Sequence, residues 1–347
     1  MGNELLKSVS LDVTYKCNFR CRHCFNSSGE HSIPREEMTD EKIIDVAKQI
    51  ADLCVDTLCF CGGETLLRVD TICKAAQEIR KTNNSVSVNM VSNGYLMTPD
   101  IAKRLRDAGM SFIQISLDGA TKESYEWLRC KEGAFGRALN AISCLVDVGF
   151  QVGVAFTPTK KNINEVDDAI KLCSELGVNS FRVQPIMKLG RAKNIEDVYL
   201  DSKDYFVLKN KLRSHSKYNI SMEWGDPVMH IIAARDKKRE SDFFNITAYG
   251  DLSVSPYLPV TMGNVNRHTV QEYLDGGLLN AWKEFDFLEV LTDGIVSAEK
   301  MDVSEDNQNM PAIFTGRDFT FDILDDKNLK DIDRKFIELI NEIRGKL

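Results

Sequence analysis

The residues most able to do chemistry are three cysteines in one short run. Cys17-Asn18-Phe19-Arg20-Cys21-Arg22-His23-Cys24 spaces its thiols by three residues and then by two. Thiolates are the usual ligands of iron–sulfur clusters, and such close spacing lets a single loop wrap one. Three ligands on a four-iron cluster would leave one iron open to a substrate or cofactor, whereas a pure electron carrier usually has four protein ligands. On the triplet alone, a structural zinc loop and three ordinary buried thiols stay open as alternatives.

The 347-residue chain has ten cysteines, and all of them lie between Cys17 and Cys173. A disulfide framework belongs to short secreted chains, so free thiols in a reducing compartment are expected. The first residues have no signal-peptide h-region, and Leu6 stands where Gly2 myristoylation would want Ser or Thr. No apolar run is long enough to span a bilayer. A cytoplasmic protein with no membrane partner is expected. Hydrophobic residues make up 43% of the chain, the profile of a folded protein, and the length suggests two domains or one large barrel with an appendage. Net charge is −8, which argues against nucleic acid as the main partner.

The elements that must position the triplet follow one rhythm. Strands are expected over 8–14, 57–61, 85–91, 112–117, 151–157 and 180–185. Helices are expected over 40–53 (N-capped by Thr39), 69–81, 99–108, from Lys122, over 135–148 and over 163–176. Six strand–helix units imply a parallel sheet with right-handed crossovers, curling toward an open barrel. In such a barrel functional groups gather at the C-terminal strand ends. The triplet follows strand one, Gly62-Gly63-Glu64-Thr65 strand two and Ser92-Asn93-Gly94 strand three; Ser116-Leu117-Asp118-Gly119 closes strand four. After Gly190 the rhythm stops. Helices are expected over 202–214 and 328–343, with short strands and turns over 219–290, clearest as a hairpin over 245–254.

These motifs, in this order, resemble the radical SAM superfamily over residues 8–192. The resemblance implies an α/β fold: a partial (β/α)6 TIM-like barrel over 1–192 and a C-terminal α+β extension over 193–347. It implies a [4Fe–4S] cluster on Cys17, Cys21 and Cys24, with S-adenosylmethionine chelating the open iron. One electron then splits the sulfonium, and the resulting 5′-deoxyadenosyl radical takes a hydrogen atom from substrate. Gly62, Gly63 and Glu64 would meet the cofactor's amine, Ser92 and Asn93 its ribose, and Ser116 and Arg129 its methionyl carboxylate. Asp118 reads as a turn residue. The sequence departs from the family pattern at Thr65, where proline is usual, at His23, where an aromatic carbocycle is common, and at Cys130, where relatives often have glycine.

Cys59 and Cys61 are two apart on one strand and face one side. Cys61, next to Gly62, could donate a hydrogen atom to a substrate radical or simply fill the barrel; Cys130 has the same two readings. Cys54, Cys73, Cys144 and Cys173 are expected in the core. Glu64 sits beyond strand two in a loop where polar groups are easily solvated, and a solvated carboxylate is the alternative to its cofactor role. His230 and His268 read as ordinary lone histidines and Asp226 as a turn residue.

Tyr249-Gly250-Asp251-Leu252, Gly263-Asn264-Val265 and Trp282, preceded by Gly190-Arg191-Ala192, resemble the SPASM or twitch extension of peptide-modifying members. That resemblance implies a peptide substrate, delivered by a separate recognition protein, and an external electron donor such as flavodoxin or ferredoxin. The auxiliary-cluster cysteines are missing, with Ser255 where a ligand is expected. The alternatives are the same radical chemistry on a small-molecule or cofactor precursor, and a non-catalytic electron-transfer protein.

Overall fold

The computed structural model describes residues 6–30, 35–214, 218–237, 239–296 and 319–345; Gly2 lies outside them. The barrel half runs β1 (Ser8–Thr14), α1 (Asp40–Asp52), β2 (Thr57–Gly62), α2 (Val69–Thr82), β3 (Ser87–Ser92), α3 (Pro99–Asp107), β4 (Phe112–Ser116), α4 (Lys122–Arg129), α5 (Ala134–Asp147), β5 (Gln151–Phe156), α6 (Val166–Glu175) and β6 (Ser180–Val183). Then come α7 (Ser202–Ser214), β7 (Ser221–Trp224), α8 (Met229–Lys237), β8 (Phe243–Ile246), β9 (Leu252–Ser253) and β10 (Val260–Thr261). The chain ends with α9 (Val270–Asp275), α10 (Ala281–Glu284), α11 (Asp286–Thr292), β11 (Phe319–Thr320) and α12 (Leu329–Ile343).

Local chemistry sets these boundaries. Thr39, Thr98 and Thr121 cap α1, α3 and α4, each hydroxyl accepting an amide of the first turn at 3.2–3.3 Å. Pro99 opens α3, where its missing N–H costs nothing. The helices turn apolar stripes inward, as with Ile43, Val46, Ala47 and Ile50 of α1, all 0% exposed.

Among the described residues the main sheet orders as β7-β6-β5-β4-β3-β2-β1-β8-β9. Every pairing is parallel except β8 with β9. The fold is thus α/β, a partial barrel with a C-terminal extension, but the sheet is wider than the six expected strands. β7 joins one edge and β8 the other, so residues beyond 192 continue the same sheet. Both strands are four residues long, too short for a periodicity to declare itself. The expected hairpin forms as β8–β9.

Along β2, Leu58 and Phe60 are 0% exposed and pack with the helices. Thr57, Cys59 and Cys61 alternate with them, are only half-buried and face the concave side. On β1 the same side carries Ser10, Asp12 and Thr14. The barrel lumen is therefore polar, and its mouth lies at the strand C-termini. Cys73, Cys144 and Cys173 are buried as expected. Cys54 is not: it is exposed at a left-handed backbone position just past α1.

Candidate cluster and cofactor site

The cysteine loop is pinned by arginines. Arg20 donates to the Cys17 and Phe19 carbonyls at 2.8 Å and to the Gly29 carbonyl at 2.7 Å. Arg191 Nε reaches the Cys21 carbonyl at 2.7 Å, and its backbone N–H the Cys24 carbonyl at 3.0 Å. The loop therefore holds its shape through carbonyls, while the thiols make only weak contacts: Cys17 Sγ accepts Phe19 N–H at 3.4 Å and Cys24 Sγ donates to Asn26 Oδ1 at 3.1 Å. Cys21 is buried, and Cys17 and Cys24 are half-buried.

Two observations test whether these residues fit a cluster. Among the described residues, the side chains gathered within 4.8 Å as for a single ion are His268, Asp322 and Asp325, not the thiol triplet. A tetrahedral zinc with bonds of about 2.3 Å needs its sulfurs closer together than that. In addition, Asn18 Nδ2 and His23 Nδ1, both on this loop, are buried without a hydrogen-bond partner. Buried polar atoms normally have partners, so the orphans mark a site that takes a further group. The residues fit a multi-iron cluster with a polar ligand beside it. Burial pushes Cys21 up to about 12 and raises Cys17. Cys17 and Cys21 are thus neutral thiols until a cation takes the place of their protons.

Gly62 and Gly63 bring β2 against the cysteine loop. A Cβ on Gly62 would lie 2.3 Å from the Thr14 carbonyl oxygen, and one on Gly63 2.2 Å from that of Lys16; Gly62 also has φ 128°. Only glycine allows this approach. It lets Glu64 N–H donate to the Lys16 carbonyl at 2.9 Å. The Glu64 side chain is not solvated. It is 1% exposed and accepts from Ser92 Oγ (2.7 Å), Asn93 N–H (2.9 Å) and Leu66 N–H (3.0 Å). The reason is a 3₁₀ turn, Thr65–Arg68, that begins right after it and folds the loop over β3. Burial raises its pKa, opposed by those three donors. Asn93 Nδ2 donates to Asn18 Oδ1 at 2.8 Å, tying β3 to the cysteine loop. Thr65, in place of proline, donates to the Val91 carbonyl at 2.7 Å.

On the opposite wall, Arg129 Nε donates to Asp118 Oδ2 at 2.5 Å, and Arg129 Nη1 lies 3.8 Å from Cys21 Sγ. Burial works against the Arg129 charge, but Asp118 outweighs it, so the guanidinium is held above its ordinary pKa. Ser116 is buried at the end of β4 on the same wall. His23 Nε2 sits 3.5 Å from Asp118; burial lowers its pKa to about 4, so the ring is neutral. The triplet, Gly62, Gly63, Glu64, Ser92, Asn93, Ser116 and Arg129 thus gather at one mouth. Cys61 faces the lumen just below. Cys130 is not brought there: it is exposed, caps α4 with φ 53°, and turns its thiol toward the Trp127 carbonyl.

Motif reasoning passes over several residues that hold this site. Asp118, expected to shape its turn, instead accepts Thr157 N–H at 2.7 Å from the residue after β5 and carries Arg129. Glu37 accepts Thr14 Oγ1 and Tyr15 N–H at 2.7 Å each, fixing the end of β1. Asn162 donates to the Asp118 carbonyl at 2.8 Å. Only the position of Asp118 just past the end of β4 offered a sequence signal; Glu37 and Asn162 come from loops outside the motifs.

The extension motifs also meet. Asp251 and Asn264 form an antiparallel bridge, and Asn264 Nδ2 donates to Asp251 Oδ1 at 2.8 Å. Tyr249 packs on Tyr15 at 5.4 Å, and Met38 N–H donates to the Ala248 carbonyl at 2.8 Å, joining extension and barrel. Ser255 Oγ is buried and bonds His230 Nε2 at 2.9 Å. Asp226 accepts Val228 N–H at 3.0 Å in its turn. No described helix is long and apolar enough to cross a membrane.

Residues 11–173 match the family described as the radical SAM superfamily. Curated relatives include an AdoMet-dependent heme synthase of Methanosarcina barkeri, 26% identical over 76% of this chain and 80% of its own. Another, from Nitratidesulfovibrio vulgaris, is 29% identical over 60% of this chain, which spans only 56% of that protein. Among solved structures, Streptococcus suis SuiB bound to S-adenosylmethionine superposes with a TM-score of 0.64 at 14% identity, over 80% of this chain and 67% of its own. The protein anSMEcpe, with bound AdoMet and a Cp18Cys peptide, gives 0.62 at 17% identity, over 81% and 83%. By class, the chain is a radical SAM enzyme. Its cofactors are a [4Fe–4S] cluster and S-adenosylmethionine, and it needs an electron donor.

Proposed function

We propose that this radical SAM enzyme modifies a peptide by hydrogen-atom abstraction. Cys17, Cys21 and Cys24 hold the cluster, which supplies the electron for cofactor cleavage. Glu64 accepts from the cofactor's amine, with Gly62 and Gly63 allowing the approach. Ser92 and Asn93 border the ribose, and Ser116 and Arg129 take the carboxylate. Asp118 fixes Arg129, so the charged groups are set before the cofactor arrives; such pre-positioning is what a catalytic pocket contributes. Residues 1–192 act as the barrel and 193–347 as a SPASM- or twitch-like extension. The enzyme works in the cytoplasm, with a flavodoxin or ferredoxin as donor and a separate protein presenting the peptide.

The observation that carries the peptide reading is the bridge between Asp251 and Asn264, with Tyr249 packed on Tyr15. The Tyr249–Tyr15 contact supports an extension lying against the end of β1, in keeping with the likeness to SuiB and anSMEcpe over about four-fifths of the chain. The test is anaerobic incubation of the cluster-loaded enzyme with S-adenosylmethionine, reductant and candidate precursor peptides. A mass change in a peptide, with deuterium moving from its reacting carbon into 5′-deoxyadenosine, is the expected result.

A second reading is the same chemistry on a cofactor precursor such as a tetrapyrrole. It is favoured by the likeness to the M. barkeri heme synthase, which runs over 80% of that protein. Acceleration of cofactor cleavage by a tetrapyrrole and by none of the peptides would replace the first reading with the second.

A further inference from the structure

Cys59 and Cys61 lie two apart on β2 with their sulfurs 3.5 Å from each other. Neither joins the apolar core, although Leu58 and Phe60 between and beside them are wholly within it. Both thiols are half-buried and face the polar lumen. Opposite them in register on β1 stand Ser10 and Asp12. Cys61 leads straight into Gly62 and the Glu64 turn, so the pair lies on the lumen wall just below the cofactor site. Strand residues two apart have Cα atoms about 6.7 Å apart. That falls just within the roughly 6.8 Å limit a disulfide accepts.

We propose that Cys59 and Cys61 form a dithiol that quenches the substrate radical, Cys61 giving the hydrogen atom and the pair closing to a disulfide. The idea rests on the radical reading above and adds what ends the radical's life. The Cys61 S–H bond breaks homolytically, and its hydrogen forms a C–H bond on the substrate. The sulfur radical left behind bonds to Cys59, which is half-buried and gives up its thiol proton to solvent. The surplus electron of the sulfur–sulfur bond passes to the oxidised form of the one-electron carrier. The disulfide is then reopened by an external thiol reductant, which is oxidised in exchange.

Such a donor must be a thiol and not a thiolate. The hydrogen bond to Cys59, and then burial, hold Cys61 well above the ordinary thiol pKa. The chemical class of substrate follows: one whose carbon radical is repaired by hydrogen, so that a carbon centre is inverted or reduced and not cross-linked.

The test has two arms on the full chain. In the first, the chain without cluster or cofactor is equilibrated anaerobically with glutathione buffers of rising oxidised fraction, alkylated, digested and mapped by mass spectrometry. A disulfide within the Cys59–Cys61 peptide is expected. In the second, the cluster-loaded chain is given S-adenosylmethionine and a strong one-electron reductant in deuterium oxide, with no substrate. The exchanged Cys61 thiol should place deuterium in the 5′-deoxyadenosine formed. That deuterium should be lost in Cys61→Ser and kept in Cys59→Ser, while the disulfide is lost in both. Mixed glutathione adducts without the disulfide, or deuterium unchanged in Cys61→Ser, would overturn the proposal. Formation of no 5′-deoxyadenosine at all would take down the radical reading and the proposal with it. That failure is distinguishable because the first arm needs neither cluster nor cofactor.

Discussion

Asp118 accepts Arg129 Nε at 2.5 Å from a position with no solvent exposure, and the same guanidinium points its Nη1 at Cys21. One buried ion pair thus links the end of β4, the end of α4 and the cysteine loop. Nothing in this arrangement waits for the cofactor: the charge that would meet a carboxylate is already fixed. A buried pair of this kind is weak evidence for stability in itself, but removing one partner strands the other.

Asp118→Ala should therefore destabilise the chain by about 3–5 kcal/mol, since it leaves Arg129 buried and unpaired. Replacing both residues by apolar ones of similar volume should cost less than the single change. Urea unfolding of the single and double variants would decide it. Equal destabilisation by the two would mean that packing, not charge, is what Asp118 supplies.

Glu64→Ala should act on both binding and fold. Losing a charge-assisted contact of about 1.5–3 kcal/mol weakens S-adenosylmethionine binding by about one to two decades. Ser92 Oγ and the Asn93 and Leu66 amides would also lose their acceptor, at about 1–3 kcal/mol of stability. Glu64→Gln keeps an acceptor oxygen and should recover part of the stability but less of the affinity. Calorimetric titration of the cluster-loaded variants, beside their melting curves, separates the two effects.

The barrel was readable because each of its units carries its own local signals. β1 runs over the residues anticipated for it, and Thr39 caps α1 because a hydroxyl before Asp40 satisfies a free amide wherever that helix packs. Clusters at the strand ends were readable for the same reason, being contiguous in sequence. Long-range partners were not. Glu37 holding Thr14 and Asn162 holding the Asp118 carbonyl depend on how loops fold back and side chains turn. That β7 and β8 extend the barrel sheet was not readable, because it is set by tertiary pairing with β6 and β1. The burial of Glu64 was not readable because the 3₁₀ turn covering it has no strong sequence mark.

The cysteine triplet yields a prediction about metal content. Anaerobic reconstitution should give about four irons per chain, as for one [4Fe–4S] cluster. Changing Cys17, Cys21 and Cys24 together to Ala should abolish the Mössbauer signal of the cluster. Among the rest, Cys54 and Cys130 are exposed and Cys73, Cys144 and Cys173 are buried on separate helices or helix ends. Iron persisting as a cluster in the triple variant would require a second site that these positions do not suggest.

Cys130 offers a purely conformational test. Its φ of 53° ends α4 in the left-handed region, a position that glycine takes without a steric penalty. Cys130→Gly should raise stability by about 0.5–1 kcal/mol, with cluster loading and cofactor cleavage unchanged. A drop in melting temperature would show instead that the freedom glycine gives the unfolded chain outweighs the relief of the left-handed strain.

His230 makes stability depend on pH in a definite direction. Burial lowers its pKa from 6.5 to about 4, with the ring against Tyr257 and Phe243 and Nε2 on Ser255. The folded chain therefore favours the neutral ring. Its contribution is fully present above pH 6.5. It is lost as pH falls from 6.5 toward 4, where the unfolded chain takes a proton that the folded chain refuses. The loss should be about 2–3 kcal/mol between pH 7 and pH 4.5. Asp12 works the other way: burial raises it from 3.8 to about 6, so its cost to stability disappears over nearly the same range. The wild-type curve alone would mix the two. The difference between wild type and His230→Asn isolates the histidine, because Asp12 is common to both. Equilibrium urea unfolding of the two chains from pH 7 to pH 4.5 should show the wild type losing ground to the variant by that amount. A difference that stays constant with pH would mean that His230 is protonated as readily in the fold as outside it, and that the Ser255 contact survives on a charged ring.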